Sequence, residues 1–301
     1  MPELRRGVAY GVAAYAIWGL TPLYWPLLEP SGAVEILAHR MVWSLVVVAA
    51  LLAVRRRWSW IRELTGRQVL LLAIAAIVVS VNWGVYIYAV NSGHVVDASL
   101  GYFINPLVNV LFGIMIFGER LRTGQWVAVG LGTLAVAVLT YGYGRPPWIA
   151  LVLAFTFGIY GVVKKKARVE GTESLAVETL VMLLPAVVYL GTLHASGEGT
   201  FGRYGLGHAL LVAGAGVVTA LPLIFFTIAA LSIPLSLVGL LQYIAPILQF
   251  LCGVLIAHET MPPSRWAGFC IVWLALAVFT WDTLRAARNA RLAREAEPAT
   301  V

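Results

Sequence analysis

Charge is scarce in this chain. Of 301 residues only 12% are Asp, Glu, Lys or Arg, while 60% are hydrophobic and the mean hydropathy is +0.86. A soluble domain of that composition would lack the polar surface to cover it, so lipid is the expected solvent for most of the chain. Cysteine is scarcer still. Cys252 and Cys270 both sit in apolar runs, and with no CxxC or Cys/His cluster they read as small packing residues, not as a disulfide framework or metal site. The sequence holds no GxxxxGK[ST] loop, which excludes a recognisable nucleotide-driven motor, and neither HExxH nor GxSxG, which speaks against an intramembrane enzyme. No cofactor is expected. A basic, aromatic-studded soluble stretch is also missing, so the net charge of +7 carries no nucleic-acid signal.

What the chain does have is a repeat. Shifted by 140 positions, the second half answers the first without a gap: Pro106 falls on Pro246, Gly113 on Gly253, Glu119 on Glu259, Trp126 on Trp266, and Thr140 on Thr280. Ten apolar segments are expected near 5–28, 33–54, 66–90, 95–117, 123–142, 146–163, 174–195, 206–231, 235–257 and 263–284, each close to the length needed to cross a bilayer. Turn and charge signals break them at Glu29-Pro30-Ser31-Gly32, Asn91-Ser92-Gly93 and Gly144-Arg145-Pro146-Pro147. The first segment is long, contains Trp18 and Pro22 and lacks a small-residue cleavage site, so it reads as a span and not a signal peptide. With the N-terminus in the cytoplasm, 17 of the 21 basic residues lie inside; Arg145, Arg203 and Arg265 lie outside, with Arg40 within the second span near its outer end. That bias fits both termini inside. Five spans per repeat is an odd number, so the second copy would enter the membrane inverted. The expected layout is an all-α integral membrane protein: a first five-helix repeat over 1–143, a second, inverted one over 144–284, and a basic cytoplasmic tail over 285–301, fading into a frayed end.

Several stretches have specific wording: Asn82-Trp83-Gly84-Val85-Tyr86-Ile87-Tyr88-Ala89-Val90-Asn91, Ala98-Ser99-Leu100-Gly101-Tyr102-Phe103-Ile104-Asn105-Pro106-Leu107, Gly118-Glu119-Arg120-Leu121, and Glu35-Ile36-Leu37-Ala38-His39-Arg40. Together they resemble the RarD branch of the EamA-type drug/metabolite transporter superfamily, from about residue 5 to 284. The resemblance implies ten helices, a central cavity and the bacterial inner membrane. It gives the class of activity better than the cargo. In one respect the chain departs from smaller multidrug relatives: Gly7 to Leu28 contains no acidic residue, so proton exchange by their first-helix glutamate is not expected.

The sharpest candidate residues fall in the fourth and ninth segments. Pro106 and Pro246 are expected to break both helices near their midpoints, freeing the carbonyls of Tyr102 and Gln242. Such carbonyls must face protein, water or ligand, and broken helices at matching places are a pointer to a transport site. Asn105, Asn109, Tyr243 and Gln249 stand nearby. Asn82 and Tyr86 lie one turn apart in the third segment, and Trp18, Tyr160 and Phe225 are similarly placed aromatics. The expectation is that Asn82, Tyr86, Tyr102, Asn105, Gln242 and Tyr243 face one cavity, with Trp18, Tyr160 and Phe225 as further substrate contacts; ordinary packing is the plain alternative for each aromatic taken singly. Coupling or gating candidates are Glu178, His39, Arg40 and Lys164. Arg40 should sit about 10 Å down its helix, and Glu178 reads equally as an interfacial carboxylate beside Lys164 to Lys166. Glu119 and Glu259 are expected to cap the fifth and tenth helices. Gly7 and Gly11 form a small-residue packing pair.

These readings converge on a secondary transporter that exports a small organic metabolite or drug-like molecule by alternating access. Uptake or movement of a lipid-linked carrier is the alternative within transport; a membrane sensor, scaffold or intramembrane enzyme is the alternative outside it. The expected partners are the small-molecule substrate and the lipid bilayer, without nucleic acid, and a homodimer is left open.

Overall fold

The computed structural model describes residues 2–55, 60–118, 120–169, 171–233 and 235–296. Among them the regular structure is entirely helical. The helices are α1 (Pro2–Leu20), α2 (Ala33–Arg55), α3 (Gly66–Asn91), α4 (Val95–Phe117), α5 (Thr123–Tyr143), α6 (Trp148–Ala167), α7 (Gly171–Ala195), α8 (Gly205–Ser232), α9 (Leu235–Leu241), α10 (Ile244–Leu251) and α11 (Pro263–Ala296), with a single helical turn at Trp60–Glu63. Eight of these, α2 to α8 and α11, are long and apolar enough to cross a membrane. Local signals set their ends. Thr65 and Gln68 form a capping box at the start of α3. Gly118 and Gly144 close α4 and α5 in the left-handed region that glycine tolerates best.

Four expectations change at this level. The first segment is α-helical only to Leu20; Pro22 and Pro26 then confine the chain to two 3-10 turns, Thr21–Leu23 and Trp25–Leu28. Pro106 does not break its helix, since α4 runs unbroken from Val95 to Phe117. The stretch leading into it packs closely on α6: a Cβ on Gly101 would lie 2.8 Å from the Ala150 carbonyl oxygen, and Asn105 also reaches α6. Pro246, by contrast, follows a real interruption at Gln242 and Tyr243 and occupies the first turn of α10, where its missing N–H leaves no bond unmade. A π-turn, Cys252–Ile256, completes that segment. Finally, the last helix does not stop near 284 but continues through the basic tail to Ala296.

The packing has a pattern. The principal helix pairs are α3 with α6, α1 with α8, α4 with α6, α1 with α10, α2 with α8, α3 with α7, α2 with α7 and α5 with α11. Exchange each helix for its counterpart in the other half and the set maps onto itself. Close approach is achieved through small residues: a Cβ on Gly11 would lie 2.7 Å from Leu241, and one on Gly216 of α8 would lie 2.4 Å from the Trp43 carbonyl carbon of α2.

At one end of the bundle Thr200 donates through its N–H (2.7 Å) and hydroxyl (2.9 Å) to the buried Glu35 carboxylate. Arg265 meets Asp97 there at 2.9 Å, and the Val95 and Val96 N–H groups donate to Glu259. Glu259 therefore caps α4, not the tenth span. Loop 257–262 precedes α11 in sequence, but the start of α4 is what it meets in space. Burial raises the Glu259 carboxyl above its ordinary range, partly offset by those two N–H groups and by Arg265. Glu119 lies outside the described residues. At the opposite end Arg122 pairs with Asp282 at 2.6 Å.

Candidate transport pathway

Arg40 lies seven residues into α2, beneath the Glu35 end of the bundle, and is only 5% exposed. Its Nε donates to the Thr219 hydroxyl of α8 at 2.7 Å. Its guanidinium stacks 3.8 Å from the centre of the Trp83 ring of α3 and stands 5.3 Å from that of Trp25, contacts in which the ring quadrupoles favour the cation. Among the described residues no carboxylate pairs with it. His39, next to it, stacks on Phe201 with ring centres 4.8 Å apart.

From Arg40 a line of rings descends through the bundle. Tyr86 and Tyr102 belong to the packed cluster around Trp25, over which Arg40 stands. Their ring centres are 5.7 Å apart, Tyr102 is 6.0 Å from Phe157, and Phe157 is 6.0 Å from Tyr160. These rings are fixed from behind by polar contacts. The amide nitrogen of Asn82 donates to the Leu153 carbonyl (3.0 Å) and the Thr156 hydroxyl (2.9 Å) of α6, while its oxygen accepts from the Tyr102 hydroxyl at 3.1 Å. Asn82 is wholly buried and its bonds are spent on joining α3, α4 and α6. Tyr86 shares a 2.9 Å hydrogen bond with Thr21. Asn105 reaches the Ala154 carbonyl at 3.5 Å and accepts from Asn109 at 2.8 Å.

The line ends at a second charged group. Glu178 of α7, 2% exposed, accepts from Lys164 (2.8 Å) and Ser174 (2.7 Å) through one oxygen and from Tyr160 (3.1 Å) through the other. Glu178 lies seven residues from the start of α7, so it sits near the end of the bundle opposite Arg40. Phe157, Gly161 and Lys164 share one face of α6 by their i, i+4, i+7 spacing. That face is open: Phe157 is 39% exposed and a Cβ on Gly161 would meet nothing within 4 Å.

The remaining candidates lie elsewhere. Tyr243 lines an apolar groove with Thr280 and Trp273 of α11, Phe103 and Ile247. Gln242 lies in the interruption just before it. Phe225 packs on Tyr10, and Trp18 on Tyr15 and Phe226, in the contact between α1 and α8. Pro246 is buried beside them in α10, which is tied to α1 by a 3.2 Å bond from Gln249 to the Trp18 carbonyl. Of the six residues expected to face one cavity, Asn82 and Tyr86 both meet Tyr102, Asn105 bonds to Ala154 of α6, next to the Leu153 that Asn82 holds, and Gln242 and Tyr243 lie apart.

The EamA-like transporter family matches this sequence twice, over residues 5–141 and 146–281. The chain belongs to that family. Protein RarD of Streptomyces exfoliatus is 61% identical over 99% of this chain and 96% of its own length. Protein RarD of Escherichia coli K12 is 40% identical over 95% of this chain and 98% of its own. The chloramphenicol-sensitive protein RarD of Pseudomonas aeruginosa is 31% identical over 94% and 96%. A solved crystal structure shares the fold, with a TM-score of 0.61 at 20% identity over 93% of this chain and 98% of the other. This family member is a multi-pass membrane transporter.

Sequence reasoning missed Thr219, Trp25, Trp83 and Phe157. Trp83 stands beside Asn82 in a quoted motif, but its contact with Arg40 depends on how α2 and α3 are rotated. Thr219 offered a signal, a hydroxyl near the middle of a long apolar helix, where polar groups tend to face a partner.

Proposed function

We propose that this transporter exports a small organic molecule across the bacterial inner membrane by alternating access, with both termini in the cytoplasm. Its working parts are the two halves, 1–143 and 144–284, read as inverted copies, with 285–301 as a basic tail. The self-mapping set of helix pairs and the double family match support that reading, since two like halves can rock around a site between them. The observation that carries the proposal is the line Tyr86, Tyr102, Phe157, Tyr160, with Arg40 at one end and Lys164 with Glu178 at the other. Aromatic walls with a few polar groups suit a flat organic cargo, and charged groups at two depths offer it successive holding points. The open face from Lys164 to Phe157 is the entry from the cytoplasm.

The test is flux in proteoliposomes containing the purified full-length protein, run over a panel of metabolites. Chloramphenicol belongs on the panel, because a 31% identical relative carries it in its name. Saturable, substrate-dependent flux supports the proposal. Turnover of a compound without flux, or no flux for any compound, defeats it.

A further inference from the structure

We propose that Arg40 is the receptor for an oxyanion on the cargo, so that the transported molecule is a flat organic acid. The inference rests on the transport reading above and names its substrate class. Arg40 is a charged side chain, 5% exposed, in a membrane-spanning helix. Such charges normally face a partner charge or a water-filled cavity. Lys164, the half-buried cation at the other end of the pathway, obeys the rule through Glu178. Arg40 does not: among the described residues it has no carboxylate partner, and of its five N–H donors only that on Nε has an acceptor, Thr219.

Among the described residues the surroundings supply no counter-charge. The hydroxyls of Tyr86 and Tyr102, the nearest polar groups in the ring line, are already engaged with Thr21 and Asn82. A second donor stands unused beside Arg40: Trp25, whose ring centre is 5.3 Å from the guanidinium, has a buried indole N–H without a partner among the described residues. Unused donors around a fixed positive charge match the needs of one acceptor group carrying negative charge. With Nε held by Thr219 and the plane held by Trp83, the two terminal nitrogens remain as a planar pair, the geometry that grips a carboxylate or phosphate through two parallel bonds. The rings of Tyr86 and Tyr102 then flank the body of the molecule.

The experiment uses purified full-length protein and three probes of similar shape: benzoate, phenyl phosphate and the neutral benzamide. Binding is read from thermal shift and tryptophan fluorescence, and transport from proteoliposome flux. Benzoate or phenyl phosphate should bind and benzamide should not; whichever anion binds better identifies the oxyanion. Arg40→Gln should weaken anion binding by roughly 10- to 100-fold. Thr219→Glu, which gives Arg40 an internal counter-ion, should abolish it while the protein still folds, and so keeps the test decisive if Arg40→Gln does not. Equal binding of benzamide and the anions, absence of binding by both anions, or undiminished anion binding in Thr219→Glu overturns the assignment. Anion binding without flux leaves Arg40 in its role and defeats the transport reading instead.

Discussion

The carboxylate of Glu259 accepts the backbone N–H of Val96 at 3.2 Å, across 163 positions of chain. A loop of the second half thereby closes the open end of a helix of the first. Glu259→Ala removes the acceptor for two N–H groups and should cost about 1–2 kcal/mol, read as a lower melting temperature in detergent; an unchanged temperature would contradict the capping role. The same residue gives a pH dependence. Its pKa is raised by burial, so the folded state holds its proton more tightly than the unfolded state. Its contribution to stability is full below the usual carboxylate value of 4.5 and is lost as pH climbs through the raised one. Glu259→Gln should flatten this fall in stability above pH 4.5, and a slope identical to wild type would count against it.

Lys164 and Glu178 should prove unequal to the sum of their parts. Glu178→Gln leaves a largely buried cation uncompensated, a change that costs about 3–5 kcal/mol for fully buried pairs. The lower end is expected here because Lys164 is 23% exposed. The double variant Lys164→Met with Glu178→Leu should recover folded yield but not flux. Equal yields from the single and double variants would mean that the pair contributes little to folding.

Gly216 should tolerate no side chain. An added Cβ lies 2.4 Å from a backbone atom of Trp43, so α2 and α8 must separate, at a cost of about 1–3 kcal/mol. Gly191 faces open space, and Gly191→Ala is the control. Size-exclusion profiles should show Gly216→Ala losing monodisperse protein while Gly191→Ala matches wild type; matching profiles for both would remove the packing argument.

The proposed cytoplasmic placement of both termini rests on the basic-residue bias. A C-terminal reporter that is active only in the cytoplasm should be active in a bacterial host. Activity of a periplasm-specific reporter there would overturn both the orientation and the inverted halves.

Much of the fold was legible because lipid imposes it. Long apolar runs between charged or glycine-rich breaks have few alternatives to spanning helices, and segments such as 95–117 agree to the residue with α4. The prolines were less legible. Pro106 and Pro246 occupy the same place in the repeat, yet only the second follows an interruption. The proline ring alone does not decide between the two outcomes; the surrounding helices differ, with α6 packed on the stretch before Pro106, and that is tertiary information. The candidate pathway was half legible for the same reason. Asn82, Tyr86 and Tyr102 meet, as Lys164 and Glu178 do. Gln242 and Tyr243 do not join them, since the interruption turns Tyr243 toward α11. The stacking of Arg40 on Trp83 joins two helices whose mutual rotation no spacing rule supplies.

The last helix carries a practical consequence. Its 34 residues extend about 51 Å at the usual rise, against a hydrocarbon core of about 30 Å. Even tilted, it projects well beyond the bilayer as an unbroken rod. A soluble helical protein grafted in register onto that rod would inherit its direction, without the swivel of a flexible joint. For a 32.6 kDa protein with little mass outside the membrane, such a graft is an alignment mark for single-particle imaging.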